Sequence, residues 1–157
     1  MAGENQNTKV GIEQGGELLF VKSGGKILME TGSTLEKESG VTETGNKVYL
    51  TGEIADISSA ASSWVVSPVA GTITKIYSVI DGVITTGDAA LSFEIGGVAV
   101  TGGGITIANS GSAAGIVDSS TPTAANTLAA GGALELITDG GSTNAVKAVL
   151  IIEITQS

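Results

Sequence analysis

The chain contains no cysteine and no histidine, and all seven of its basic residues are lysine. The first absence excludes disulfides and thiolate metal sites. The second removes the commonest general base and the commonest transition-metal ligand. With no arginine and a net charge of −9, the chain also lacks the cations that neutralise phosphates, from which most nucleic-acid affinity comes. Its longest apolar stretch, Ala148 to Ile152, is too short to cross a bilayer. The opening Met-Ala-Gly-Glu-Asn-Gln-Asn shows no basic-then-apolar pattern of a signal peptide. A soluble protein made in a cytoplasm is expected, with no cofactor, no nucleic acid and no membrane among its partners.

What the chain has in quantity is glycine, with valine, isoleucine and threonine in short runs between turn residues, which is the strand-and-turn pattern. Strands are expected at residues 64–66, 71–79, 90–95, 98–101, 105–109, 133–138 and 147–155. Gly96-Gly97 predicts a tight hairpin of type I′, and Asp81-Gly82 and Asp139-Gly140 are further turn signals. Only residues 55–63 and 123–130 have a composition that could coil. The expected fold is all-β: an antiparallel sandwich over residues 61–157, with a jelly roll as the first choice and an immunoglobulin-like sandwich as the second.

Charge divides the chain unevenly. Residues 1–60 carry nine acidic and five basic side chains, and residues 61–157 carry seven and two. A boundary near Ala60 is therefore expected, with a repetitive β-rich arm or stalk before it. From Ser23 this arm reads SGGKILME, TGSTLEKE, SGVTETGN, with Ile27 and Leu35 in equivalent places and Leu19 eight residues before Ile27. A short fixed period marks units too small to bury their own apolar face. Three chains around one axis could bring Leu19, Ile27 and Leu35 against their copies. Leu19, Val21, Ile27, Met29, Leu35 and Trp64 are the expected interface, whether with the trimer's own copies or with a larger assembly. A mobile arm with chance hydrophobes is the competing reading.

The chemical motifs are weak. Gly24-Gly25-Lys26-Ile27 fails as a phosphate loop, because isoleucine follows the lysine and Phe20 stands where the upstream glycine is needed. Asp81, Asp88, Asp118 and Asp139 match no compact calcium loop, and two of them precede glycine in turns. Glu94 and Glu135 are the candidates for paired carboxylates, with nothing in the sequence to set them opposite each other. A Ser-Lys dyad would have to use Lys75 or Lys147, neither of which lies in a recognisable motif. No enzyme is expected. Trp64 reads as a core or interdomain plug in preference to an interface anchor.

The stretch from Trp64 to Gly82, with Ile105 to Gly115 and Thr121 to Thr127, resembles the capsid decoration proteins of tailed bacteriophages, also called cement or head-fibre proteins. The resemblance covers roughly residues 64–155. It implies a homotrimer on the outer capsid surface of the virion, bound to the major capsid protein and bridging neighbouring capsomers. The charged first half is expected to lie on the shell while the sandwich projects. The alternative is a phage fibre tip that binds a receptor or carbohydrate. A pilus or surface-layer component is a third possibility.

Overall fold

The computed structural model describes strands Val10–Ile12 (β1) and Leu19–Val21 (β2) and all of residues 46–157. The chain divides into two compact units, Met1–Val41 and Thr42–Ser157. In the first, β1 and β2 pair antiparallel, with Val10 opposite Val21. Leu19 and Val21 fall on β2, whereas Ile27, Met29, Leu35 and the eight-residue repeat lie outside the described residues.

The second unit is a two-layered antiparallel β-sandwich, without a helix among the described residues. Its strands are β3 (Lys47–Ile54), β4 (Ala61–Val66), β5 (Gly71–Ile80), β6 (Ala89–Ile95), β7 (Val98–Ala99), β8 (Ile105–Ile107), β9 (Val117–Ser120), β10 (Thr127–Leu128), β11 (Ala133–Thr138) and β12 (Ala148–Gln156). One sheet runs β3-β12-β5, with β9 and β10 in turn along the far edge of β5. The other runs β4-β11-β6, with β7 and β8 along the far edge of β6. The outer pairings are nested: the first strand of the sandwich, β3, pairs with the last, β12; the second, β4, with β11; and the third, β5, with β10.

The expected division near Ala60 falls inside this unit. β3 pairs with β12 from Ala148↔Ile54 to Thr155↔Lys47, so it is a full member of the sheet. Its charges misled the compositional argument because β3 is an edge strand, and Lys47 and Glu53 face outward from it. Neither candidate coil forms a helix. Residues 61–63 join β4 by pairing with β11, and Ala125 has a φ of 51°, outside the helical region.

The alternation of buried and exposed positions follows from the period of two in a strand. Leu50, Ile54, Leu150, Ile152 and Ile154 line the inner face of one sheet, and Leu91, Phe93, Leu134 and Leu136 line the other. On β5 the rule needs an interruption. Ile73 and Ile76 are three residues apart and both fully buried, which a regular strand forbids. A bulge resolves this: Glu153 pairs with Lys75 and the next residue, Ile154, with Ile73, leaving Thr74 as the extra residue. Thr74 turns outward, and its hydroxyl donates to Glu153 Oε1 at 2.7 Å.

Beyond the bulge, Ser78 points into the core, and its buried hydroxyl has no hydrogen-bond partner. Leaving such a group unpaired costs about 1–3 kcal/mol. Ser78→Ala is therefore expected to raise the unfolding free energy by about 1 kcal/mol, measured from urea midpoints. A loss of stability would show that the hydroxyl finds a partner in solution.

The predicted hairpin forms at Gly96-Gly97, with φ of 59° and 78°, joining β6 to β7. Both values suit the type I′ turn.

Candidate functional site

Trp64 does not plug the core of the sandwich. It lies on the edge strand β4, with its side chain on the outer face and 62% exposed. The reason is parity: Leu134 and Leu136 of β11 point inward, so Glu135 points outward, and Trp64 is the partner of Glu135. Glu94 of β6 is the partner of Glu135 on the other side. The outer face therefore carries the row Trp64, Glu135, Glu94, Ala99 across four strands. Val66 and Ala133 lie to one side of it, and Ser62, Ile137 and Ser92 to the other.

Glu94 and Glu135, which the sequence could not set opposite each other, are thus direct cross-strand neighbours. Two like charges in that relation destabilise a sheet slightly. They stand on an open sheet face, whereas acid-base catalysis by paired carboxylates works across a cleft. Among the described residues, no lysine approaches either of them within ion-pair distance.

The other site candidates are absorbed by the fold. Asp81 Oδ1 accepts from the Lys147 amide, Asp88 Oδ1 from the Asn109 amide, and Asp139 Oδ1 from the amides of Ala90 and Gly141. These bonds tie one loop to the next. Asp118 lies within β9. Among the described residues, no three acidic side chains gather as a metal site would require. The Lys75 ammonium sits 5.5 Å from the centre of the Tyr77 ring, a cation–π contact.

Between the edge strands β3 and β4 runs an open groove of about 310 Å³, bordered by Glu53, Asp56, Ser59 and Ser62. Ser63 Oγ closes one end by donating to the Glu53 carbonyl at 2.8 Å. Asp56 accepts from the hydroxyl and amide of Ser58, which hold its carboxyl below the ordinary value.

A second polar cluster lies on the outer face of the β3-β12-β5 sheet. Lys47 Nζ donates to Glu153 Oε1 at 2.8 Å, and the Thr74 hydroxyl donates to the same oxygen. The Lys47 bond first and the Thr74 bond second lower the Glu153 pKa from its ordinary 4.5. A carboxyl that binds its proton less tightly when folded adds stability above the ordinary carboxylate range. That stability is lost as pH falls through the lowered value. Glu153→Gln is therefore expected to be less stable than the parent at pH 7, with the difference shrinking as pH falls below about 4. Urea midpoints at both pH values would measure it, and a gap that persists in acid would refute it.

Three of the four aromatic side chains in residues 46–157 are exposed: Trp64 on one outer face, and Tyr49 and Tyr77 on the other. No protein-family model matches the chain, and no curated protein matches it.

Proposed function

We propose that the chain is a structural protein of a bacteriophage virion, seated as a homotrimer on the outer capsid surface, where it bridges neighbouring copies of the major capsid protein. The observation that carries this reading is the placement of the aromatics. In a chain so poor in large rings, only Phe93 fills the sandwich core, while Tyr49, Tyr77 and Trp64 face outward on sheet surfaces. Aromatic side chains are enriched where proteins meet.

The nested strand pairing supports a jelly-roll sandwich, an architecture common in capsid proteins. The likeness of residues 64–155 to decoration proteins points the same way. The proposed action is mechanical: each trimer contacts several capsomers at once, and the linked contacts hold more strongly than any one of them. No catalytic step is assigned to the chain.

The first unit supplies the shell contact in this reading. The test is removal of residues 1–41, which ends before β3 and leaves the sandwich sheets entire. The full chain is expected to sediment with purified empty capsids and the truncated chain to remain in the supernatant. Retained binding would transfer the contact to the sandwich, and failure of the full chain to bind would refute the decoration role.

A second reading has an observation of its own. Exposed Trp64 beside Glu135 and Glu94 combines an aromatic platform with hydrogen-bond acceptors, as carbohydrate sites do. A glycan array would test it. Binding that is lost in Trp64→Ala would favour a fibre-tip role.

A further inference from the structure

The outer face of the β3-β12-β5-β9 sheet carries an apolar patch where a watered face should be polar. Val149, Val79 and Val117 are successive cross-strand neighbours on β12, β5 and β9, with Glu53 of β3 beyond Val149, and the next row holds Ile151 and Tyr77 between Thr51 and Ser119. An antiparallel sheet with one side in water normally alternates apolar and polar positions, and continuous apolar runs belong to strands covered on both sides. β12 is apolar at every position from Ala148 to Ile152. β5 inverts the alternation: Tyr77 and Val79 point outward, while between them Ser78 is buried with its hydroxyl unpaired. Even so, Val117 remains 60% exposed, and Tyr49 and Tyr77 are open to solvent.

Charge distinguishes this face from its opposite. The three lysines of residues 46–157 all belong to this sheet or its margin: Lys47 on β3, Lys75 on β5 and Lys147 just before β12. Glu53 and Glu153 accompany them on β3 and β12. The opposite face carries Glu94 and Glu135 on its strands and no cation. Two copies of that acidic face would set like charges against one another. A copy brought to the mixed face finds both signs to pair with.

We propose that the outer face of the β3-β12-β5-β9 sheet packs against a second copy of this chain, the apolar rows of neighbouring protomers covering one another. The inference rests on the trimer reading and specifies the surface through which the protomers meet. Three strands of eight to ten residues and the four-residue β9, about 4.8 Å apart and at roughly 3.3 Å per residue, present roughly 500 Å². That is more than half of the roughly 800 Å² that each partner contributes to a stable interface.

The test uses the full chain. Light scattering at micromolar concentration is expected to give about three times the 15.4 kDa chain mass. Val117→Glu and Ile151→Lys, made separately, are expected to reduce this to a single chain with an unchanged far-ultraviolet circular dichroism spectrum. Trp64→Ala on the opposite face should keep the parent mass. Because the chain has no cysteine, a second measurement is independent of any disruptive charge. A nitroxide attached in Val117→Cys should be immobilised, while one in Val66→Cys, on the opposite face, should tumble freely.

A monomeric parent overturns the trimer reading and this interface together. A parent oligomer that survives both charge substitutions, or a freely tumbling label at position 117, overturns the interface and leaves the trimer standing. An immobilised label on a monomeric chain would mean that another part of the same chain covers the face, which also overturns the proposal.

Discussion

Gly140→Ala is expected to lower the unfolding free energy by about 3 kcal/mol or more, from two separate causes. Gly140 lies between β11 and β12 with a φ of 70°, where a β-carbon costs about 1–2 kcal/mol. The added carbon would also land against the Ala60 amide nitrogen and 2.9 Å from the Ser59 carbonyl carbon. These are backbone atoms, so no rotamer change relieves the contact. The loop between β3 and β4 would have to move, at a cost typical of overpacking, about 1–3 kcal/mol. A domain of this size is stable by about 5–15 kcal/mol in total, so the loss is a large fraction. Thermal unfolding should show a midpoint lower by roughly 10 °C. Gly97→Ala is the comparison: its φ is 78°, but the added carbon meets nothing within 4 Å, so only the backbone term applies. Equal effects at the two positions would mean that the contact with Ser59 and Ala60 does not exist in solution.

Phe93→Ala is expected to cost about 3–5 kcal/mol. Phe93 is the one aromatic in the sandwich core, fully enclosed on β6 opposite Leu136 of β11. Its neighbours are aliphatic side chains on pleated strands held by ladders on both sides, so they have little freedom to collapse into the space. The cavity term therefore adds to the lost transfer energy. Phe93→Leu should cost less, under about 2 kcal/mol, because it retains much of the volume. Urea denaturation of the two variants would separate these values. A loss below about 1 kcal/mol for the alanine variant would show that the core closes around the deletion. Either large loss would also weaken a trimer, since the outer faces are presented by the same strands.

The strands with clear alternation were legible in the chain: residues 133–138 were expected as a strand and form β11, residues 71–79 fall one residue short of β5, and residues 147–155 are offset by one residue from β12. The missed strands have distinct reasons. β3, Lys-Val-Tyr-Leu-Thr-Gly-Glu-Ile, alternates plainly, but its outward charges assigned it to the arm. β9, Val-Asp-Ser-Ser, and β10, Thr-Leu, have no apolar pattern of their own and exist because β5 offers them an edge. The bulge at Thr74 was implicit in the spacing of Ile73 and Ile76, since both can face one core only if the strand gains a residue between them.

The candidate site was legible only in its parts. Trp64, Glu94 and Glu135 each stood out by residue type, yet they are separated by as much as the span from β4 to β11 in sequence. Which strand lies beside which is set by long-range pairing, and nothing local encodes it. Trp64 was read as a plug because tryptophan offers a large apolar area. Its exposure follows from register, because the inward leucines of β11 force the residue opposite Glu135 to the outside.

By itself, the amino-acid sequence determined the β-class, most strand positions, the Gly96-Gly97 hairpin and the absence of histidine, cysteine and arginine chemistry, because these depend on composition and on a period of two. Only the tertiary structure decided that β3 belongs to the sandwich, that Glu94 and Glu135 stand side by side beside an exposed Trp64, and that an apolar row crosses β12, β5 and β9. Those outcomes are relations between distant segments. A strand's sequence specifies that it has two faces, but its neighbours in the sheet decide what each face meets.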